Sequence, residues 1–160
     1  MTSTAIHTPP TPRLSPGKFA PQMYAAMSAV EESSKAGIDP GLRELMKTRA
    51  SQMNGCAYCI DMHTKDARVA GETEQRLYAL SAWRETPFFT EAERAALALT
   101  EALTELHPHD RLDRAWEDAQ EYFEDEQLAA LLMTVVAING WNRLAIASRT
   151  PVGSYQPRSQ

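Results

Sequence analysis

From about Phe19 to Ser148 the apolar residues recur at three- and four-residue intervals, and no stretch alternates apolar with polar as a half-buried strand would. That single periodicity restricts the chain to helix packed on helix. Met23, Ala26, Met27 and Val30 follow the helical rule until Gly37. Asp39-Pro40 then offers a capping side chain before a proline at the first helical position. Leu42, Leu45, Met46 and Met53 line the next helix, which Asn54-Gly55 breaks, and Gly71 stops the one after it. Thr73 caps a helix carrying Leu77, Leu80 and Trp83, closed by Pro87. Thr90 to Glu93 forms a capping box ahead of a stripe of Ala92, Ala96, Leu99, Leu103 and Leu106. A further helix holds Leu112, Trp116, Ala119 and Phe123. The last, from about Glu126 to Ser148, is apolar on most faces and should run through the core. The expected fold is all-α, a single-domain helical bundle of six to seven helices, with the methionines at helical spacing packed inside.

The first residues differ in kind. Five of the ten prolines lie at or before Pro21, among Thr and Ser, so residues 1–18 read as an extended, non-helical arm before a helical domain over 19–150 and a tail over 151–160. Such an arm suits a strap over a neighbouring subunit and a free segment equally. Sixteen Lys and Arg against twenty-one Asp and Glu give a net charge of −5, which argues against a nucleic-acid surface. No unbroken run of about 18 apolar residues occurs, so no membrane partner is expected. The first residues carry neither a charged nor an apolar signal-peptide region. Together with two closely spaced cysteines, which suit chemistry better than stapling, this leads to an expected cytoplasmic location.

The chemistry concentrates between Met53 and His63. Cys56, Cys59 and His63 stand at offsets 0, 3 and 7, one face of a helix, and Gly55 just before them places the thiols in its first turn. Unpaired backbone N–H groups and the positive dipole end favour thiolate there. The spacing also lets the sulfurs reach disulfide geometry, with Cα atoms about 5–6 Å apart. His63, one turn beyond Cys59, is the candidate base, and Glu44 on the preceding helix is the candidate to orient it if a tight hairpin turns it inward.

The four-point pattern resembles the AhpD-like alkylhydroperoxidases, relatives in fold of the carboxymuconolactone decarboxylases: a glutamate, eleven residues, Cys-x-x-Cys, three residues, then histidine. Glu44, Cys56, Cys59 and His63 match it at every interval. The resemblance is strongest from Gly41 to Leu106, and the run Ile138 to Leu144 looks like the final helix of small single-domain members. It implies a thiol peroxidase in which Cys59 attacks the hydroperoxide and becomes a sulfenic acid, Cys56 condenses with it, and Glu44 and His63 relay protons. It further implies no bound cofactor, recycling by an external lipoyl or thioredoxin-like dithiol, and a trimer or a hexamer built from trimers. One departure stands out: better-known peroxidases of the family carry a histidine between the cysteines, where this chain has Tyr58. A phenol with a pKa of about 10 can donate a hydrogen bond but is a poor base at neutral pH.

Competing readings accompany these residues. The cysteines could be mere packing, or zinc ligands with His63 and Glu44. Glu44 could be solvated. His107 and His109 read as surface residues beside a proline, and Asp61, Lys65, Asp66 and Arg68 as a charged outer face. Trp141, Asn142 and Arg143 suit structure more than a pocket, Arg143 pairing with an acidic neighbour. Two further functions use the same thiols: a disulfide oxidoreductase with little peroxide turnover, and a non-enzymatic redox-sensing oligomer. A lactone decarboxylase is disfavoured, since such relatives generally lack the cysteine pair.

Overall fold

The computed structural model describes residues 11–106 and 108–157. Among them are eight α-helices and no strand: α1 Pro16–Phe19, α2 Pro21–Ser33, α3 Pro40–Asn54, α4 Ala57–Val69, α5 Glu74–Ala79, α6 Glu91–Glu105, α7 His109–Gln120 and α8 Asp125–Ser148, with a 3-10 segment, Leu80–Glu85, after α5. Seven correspond to the helices expected from periodicity. The eighth, α1, is one turn inside the stretch expected to be extended. Pro16 opens it at N1, where the missing N–H costs nothing and the fixed φ already suits a helix; Pro21 does the same for α2. The part of the arm over residues 1–10, and His107, lie outside the described residues. Arg13 lays its segment over the end of α8, its N–H donating to the Ser148 carbonyl at 2.9 Å and its Nη1 to that of Ala147 at 3.1 Å.

The capping signals do what their chemistry requires. Asp39 accepts from the Leu42 N–H at 2.9 Å, Thr73 from Arg76, and Thr90 with Glu93 closes the capping box on α6. Helix α3 is the centre, packed against α4, α6 and α8. Leu42, Met46, Leu99, Leu131 and Val135 form one buried cluster, and Leu45, Leu77, Leu80, Trp83 and Leu97 a second. Each such side chain contributes about 1.5–3 kcal/mol by leaving water. One window of α8 has a mean hydropathy of 1.4, enough by length and composition to cross a bilayer. Here nine of its residues are buried and it packs on α2, α3, α4, α6 and α7, which makes it a core helix of this bundle.

Two expectations about the apolar stripes fail. Helix α2 buries no residue, and Met23 is 75% exposed while Met46 is fully buried. Periodicity identifies an apolar face but not what covers it. Leu106 turns outward because it caps α6 in the left-handed region, φ 61°, and leaves the stripe. Helix α2 comes close to α8 at Gly140, where a Cβ would stand 2.7 Å from the Met27 ε-methyl.

Candidate active site

The hairpin between α3 and α4 sets the site. Gly55 ends α3 at φ 68°, a left-handed conformation that costs a side-chain-bearing residue about 1 kcal/mol or more. The Cys56 N–H then donates back to the Ser51 carbonyl at 3.0 Å, closing the helix end. Cys56 thereby becomes the N-cap of α4 and Cys59 its third residue, as the spacing predicts. The two are joined as a disulfide with Cα atoms 5.4 Å apart, inside the range that such a bond needs.

A polar network absent from the sequence reading clamps this hairpin to α8. Asn54 Nδ2 donates to Asn139 Oδ1 and Asn142 Oδ1, both at 2.9 Å, and the fully buried Asn142 donates to Ser51 Oγ at 3.0 Å. Asn142 is thus structural, as expected. Among the described residues Arg143 is not paired with an acid: its Nη1 donates to the carbonyl and side-chain oxygens of Asn139 on its own helix.

Glu44 is turned inward. Its Oε2 lies 2.7 Å from His63 Nδ1, with both residues buried. Burial alone would raise the Glu44 carboxyl, but the hydrogen bond and charge of His63, then the charges of Lys47 and Arg43, hold it below the ordinary carboxylate range. An ionised Glu44 accepts, so Nδ1 is the donating nitrogen and Nε2 is the one left to exchange a proton. Lys47, itself buried, is paired with Glu31 and lies 3.9 Å from Glu44 Oε1. Its position inside α3 is another feature the periodicity gives no hint of.

These groups open on a cavity of about 1040 Å³. Cys59, Glu44, His63 and Tyr58 line it; Cys56 does not, being packed with Ala50, Cys59 and Ile138. The Tyr58 phenol is pushed above its ordinary value, first by burial and then by Tyr24, Asp61 and Asp66, so it stays a protonated donor. Trp141 of α8 meets Tyr24 of α2 edge-on, ring centroids 5.0 Å apart, and both line the wall. The tail returns across α4: Tyr155 donates its hydroxyl to Asp66 Oδ1 at 2.7 Å and accepts from Lys65 Nζ at 3.1 Å through its carbonyl. Asp66 therefore faces the cavity and is not part of a charged outer face; Arg68 is exposed as expected. His109 is exposed at the start of α7.

Zinc on Cys56, Cys59, His63 and Glu44 would require both cysteines as thiolates, and here both sulfurs are spent on each other. Glu44, His63 and Asp66 could offer three ligand atoms within 4.8 Å of one another. Each already has a protein partner, and the Lys47 ammonium opposes a further cation there. The arrangement suits proton transfer better than metal binding.

A sequence profile of the carboxymuconolactone decarboxylase family matches residues 21–102, just over half of the chain. This chain belongs to that family. It is 46% identical over 137 residues to the uncharacterized protein YdfG of Bacillus subtilis, covering 84% of this chain and 92% of YdfG. A protein of unknown function from Agrobacterium tumefaciens, described as a candidate AhpD antioxidant-defence protein, superposes with a TM-score of 0.85 at 36% identity, covering 91% of this chain and all of that one. The debrominase Bmp8, solved with 2,3,4-tribromopyrrole, shares the fold with a TM-score of 0.76 at 20% identity, over 86% of this chain and 74% of its own. The all-α, AhpD-like architecture is therefore that of this carboxymuconolactone decarboxylase family member.

Proposed function

We propose that this chain is a thiol-dependent peroxidase that reduces hydrogen peroxide or organic hydroperoxides through Cys59 and Cys56. The observation that carries the reading is the placement of Cys59 in the wall of a cavity it shares with His63, whose Nδ1 is held by Glu44. In the reduced protein, His63 Nε2 takes the Cys59 proton, helped by the helix start that favours thiolate. The thiolate attacks one peroxide oxygen, the O–O bond breaks, and the departing alkoxide takes a proton from His63 or Tyr58 and leaves as alcohol. Cys59 is then a sulfenic acid. The Cys56 thiol displaces its hydroxide as water, and the disulfide described above is the oxidised end of the cycle.

A disulfide oxidoreductase acting on a folded protein is supported less well. Both cysteines are 1% exposed, so a partner sulfur has to enter through the cavity. A hydroperoxide can do so, and so can the thin arm of a dihydrolipoyl group, whose two thiols would return the pair to dithiol while closing to its own disulfide. On this reading the reductant is a lipoyl-type dithiol in a cytoplasmic, reducing setting, no cofactor is bound, and the exposed face of α2 suits a homo-oligomer such as a trimer. Stopped-flow mixing of reduced protein with cumene hydroperoxide tests the proposal. Rapid loss of two thiols is expected, with Cys56→Ser accumulating a trappable sulfenate and Cys59→Ser inert; a rate no better than that of free cysteine overturns it.

A further inference from the structure

The cavity is larger than the proposed chemistry needs. At about 1040 Å³ it stands at the upper end of sites that hold whole drug-sized ligands, roughly 300–1,000 Å³, far beyond hydrogen peroxide or a tert-butyl hydroperoxide. Its wall has two characters. Phe19, Tyr24, Val69, Trp141 and Leu144 give it an apolar surface. Its charged lining is cationic, with Arg13, Lys18, Lys35, Arg43, Lys47 and Arg149 against only Glu31, Glu44 and Asp66, in a chain whose net charge is −5.

The three carboxylates are all engaged: Glu31 by Lys47, Glu44 by His63 and Asp66 by Tyr155. Several cations are engaged as well, Lys35 with Glu32 and Arg13 with the Ala147 carbonyl. Lys18 and Arg149 have no carboxylate partner among the described residues, and both are exposed, so they keep their water and their freedom to reach a ligand. Arg149 also sits at the end of α8, whose carbonyl dipole Arg13 already helps to neutralise. A concave wall with an excess of one sign of charge, backed by apolar side chains, concentrates molecules of the opposite sign.

We propose that the cavity selects hydroperoxides with a carboxylate at one end of an apolar body, the carboxylate held by Lys18 and Arg149, the body along Tyr24, Trp141 and Leu144, and the peroxide end at Cys59. The proposal rests on the peroxidase reading for its reaction but not for its binding. A fatty-acid hydroperoxide and an aryl-carboxylate hydroperoxide share this chemistry. Oxygen balance is unchanged: the peroxide becomes the corresponding alcohol and Cys59 the sulfenic acid.

Binding is tested on the protein with its disulfide formed, using probes that cannot react. Calorimetric titration compares decanoate with decanol, and phenylbutyrate with phenylbutanol, at low and high salt. At low salt each carboxylate should bind about tenfold more tightly than its alcohol, the worth of two partly screened charge contacts. The preference should shrink as the Debye length falls, from about 10 Å at 0.1 M to about 3 Å at 1 M salt. It should vanish in Lys18→Gln/Arg149→Gln and reverse in Lys18→Glu/Arg149→Glu, while the alcohols bind all forms alike. Preference for decanoate alone points to a fatty chain, and preference for both carboxylates to the wider class; either supports the proposal. Equal binding of acid and alcohol, or no binding of either, overturns it. In that case cumene hydroperoxide, which is uncharged, still reports on the peroxidase reading, so the two failures are separable.

Discussion

Replacing Glu44 by glutamine isolates the one thing the carboxylate supplies beyond position. Glutamine keeps the length and an acceptor oxygen, so the His63 Nδ1–H bond at 2.7 Å can persist and the tautomer with it. What disappears is the negative charge facing the imidazolium that forms when His63 takes the Cys59 proton. A hydrogen bond to a charged group is worth about 1.5–3 kcal/mol against about 1 for a neutral one. Two unit charges about 4 Å apart interact by about 4 kcal/mol at an effective dielectric of 20, which bounds the loss from above. The difference between the two hydrogen bonds, about 0.5–2 kcal/mol, slows proton transfer roughly 2- to 30-fold. The fold should lose less, because Lys47 keeps Glu31 and Arg43 is only partly buried, so no charge is stranded. The assay is stopped-flow thiol loss in reduced protein with cumene hydroperoxide across the pH range. The variant should be slower by that factor at neutral pH and regain rate as alkali forms the thiolate unaided. A variant as fast as its parent, with the same pH dependence, would refute the argument that this charge tunes Cys59.

Three further outcomes follow from the geometry. Glu101 is 2% exposed and accepts from Trp83 Nε1 at 2.9 Å, Arg49 Nε at 2.7 Å, Arg111 Nη2 at 2.8 Å and Arg84. Glu101→Gln should cost about 3 kcal/mol in urea unfolding, at the low end for a broken buried pair because Arg84 and Arg111 can turn to water. Asn142→Ala removes a fully buried amide from the Ser51 and Asn54 network; it should cost about 2–4 kcal/mol, read from the same transition, and loosen the cysteine hairpin. Acid sensitivity has a definite sign. Burial opposes ionisation of both Glu44 and Glu101, but His63, Lys47 and Arg43 at one, and Trp83, Arg84 and Arg49 at the other, bring each below the ordinary 4.5. Groups depressed on folding contribute stability that is present above 4.5 and lost as pH falls through the folded value. Melting temperature should therefore drop below that pH, and the drop should flatten in Glu44→Gln and in Glu101→Gln.

The helices, their caps and the cysteine hairpin were legible in the residues because each depends on neighbours a few positions away. A glycine at Gly55, offsets of 3 and 7 between Cys56, Cys59 and His63, and the Thr90–Glu93 box are local devices, and backbone geometry enforces them wherever the segment is helical. Glu44 was within reach too, since the helix and the tight turn that separate it from His63 are both local. Met23 was not: its spacing is that of a core residue, but no described element covers it.

What the chain alone determined, then, is the cysteine pair, the histidine one turn beyond it and the helical scaffold carrying them. Only tertiary packing decided that Cys59 and not Cys56 looks into a cavity, that Asp66 is held by Tyr155 from 89 positions away, and that Asn54 is tied to Asn142 across 88. Side-chain periodicity says which face of a helix must leave water. It does not say which other face will meet it, because that choice is made by the fit of all the surfaces at once.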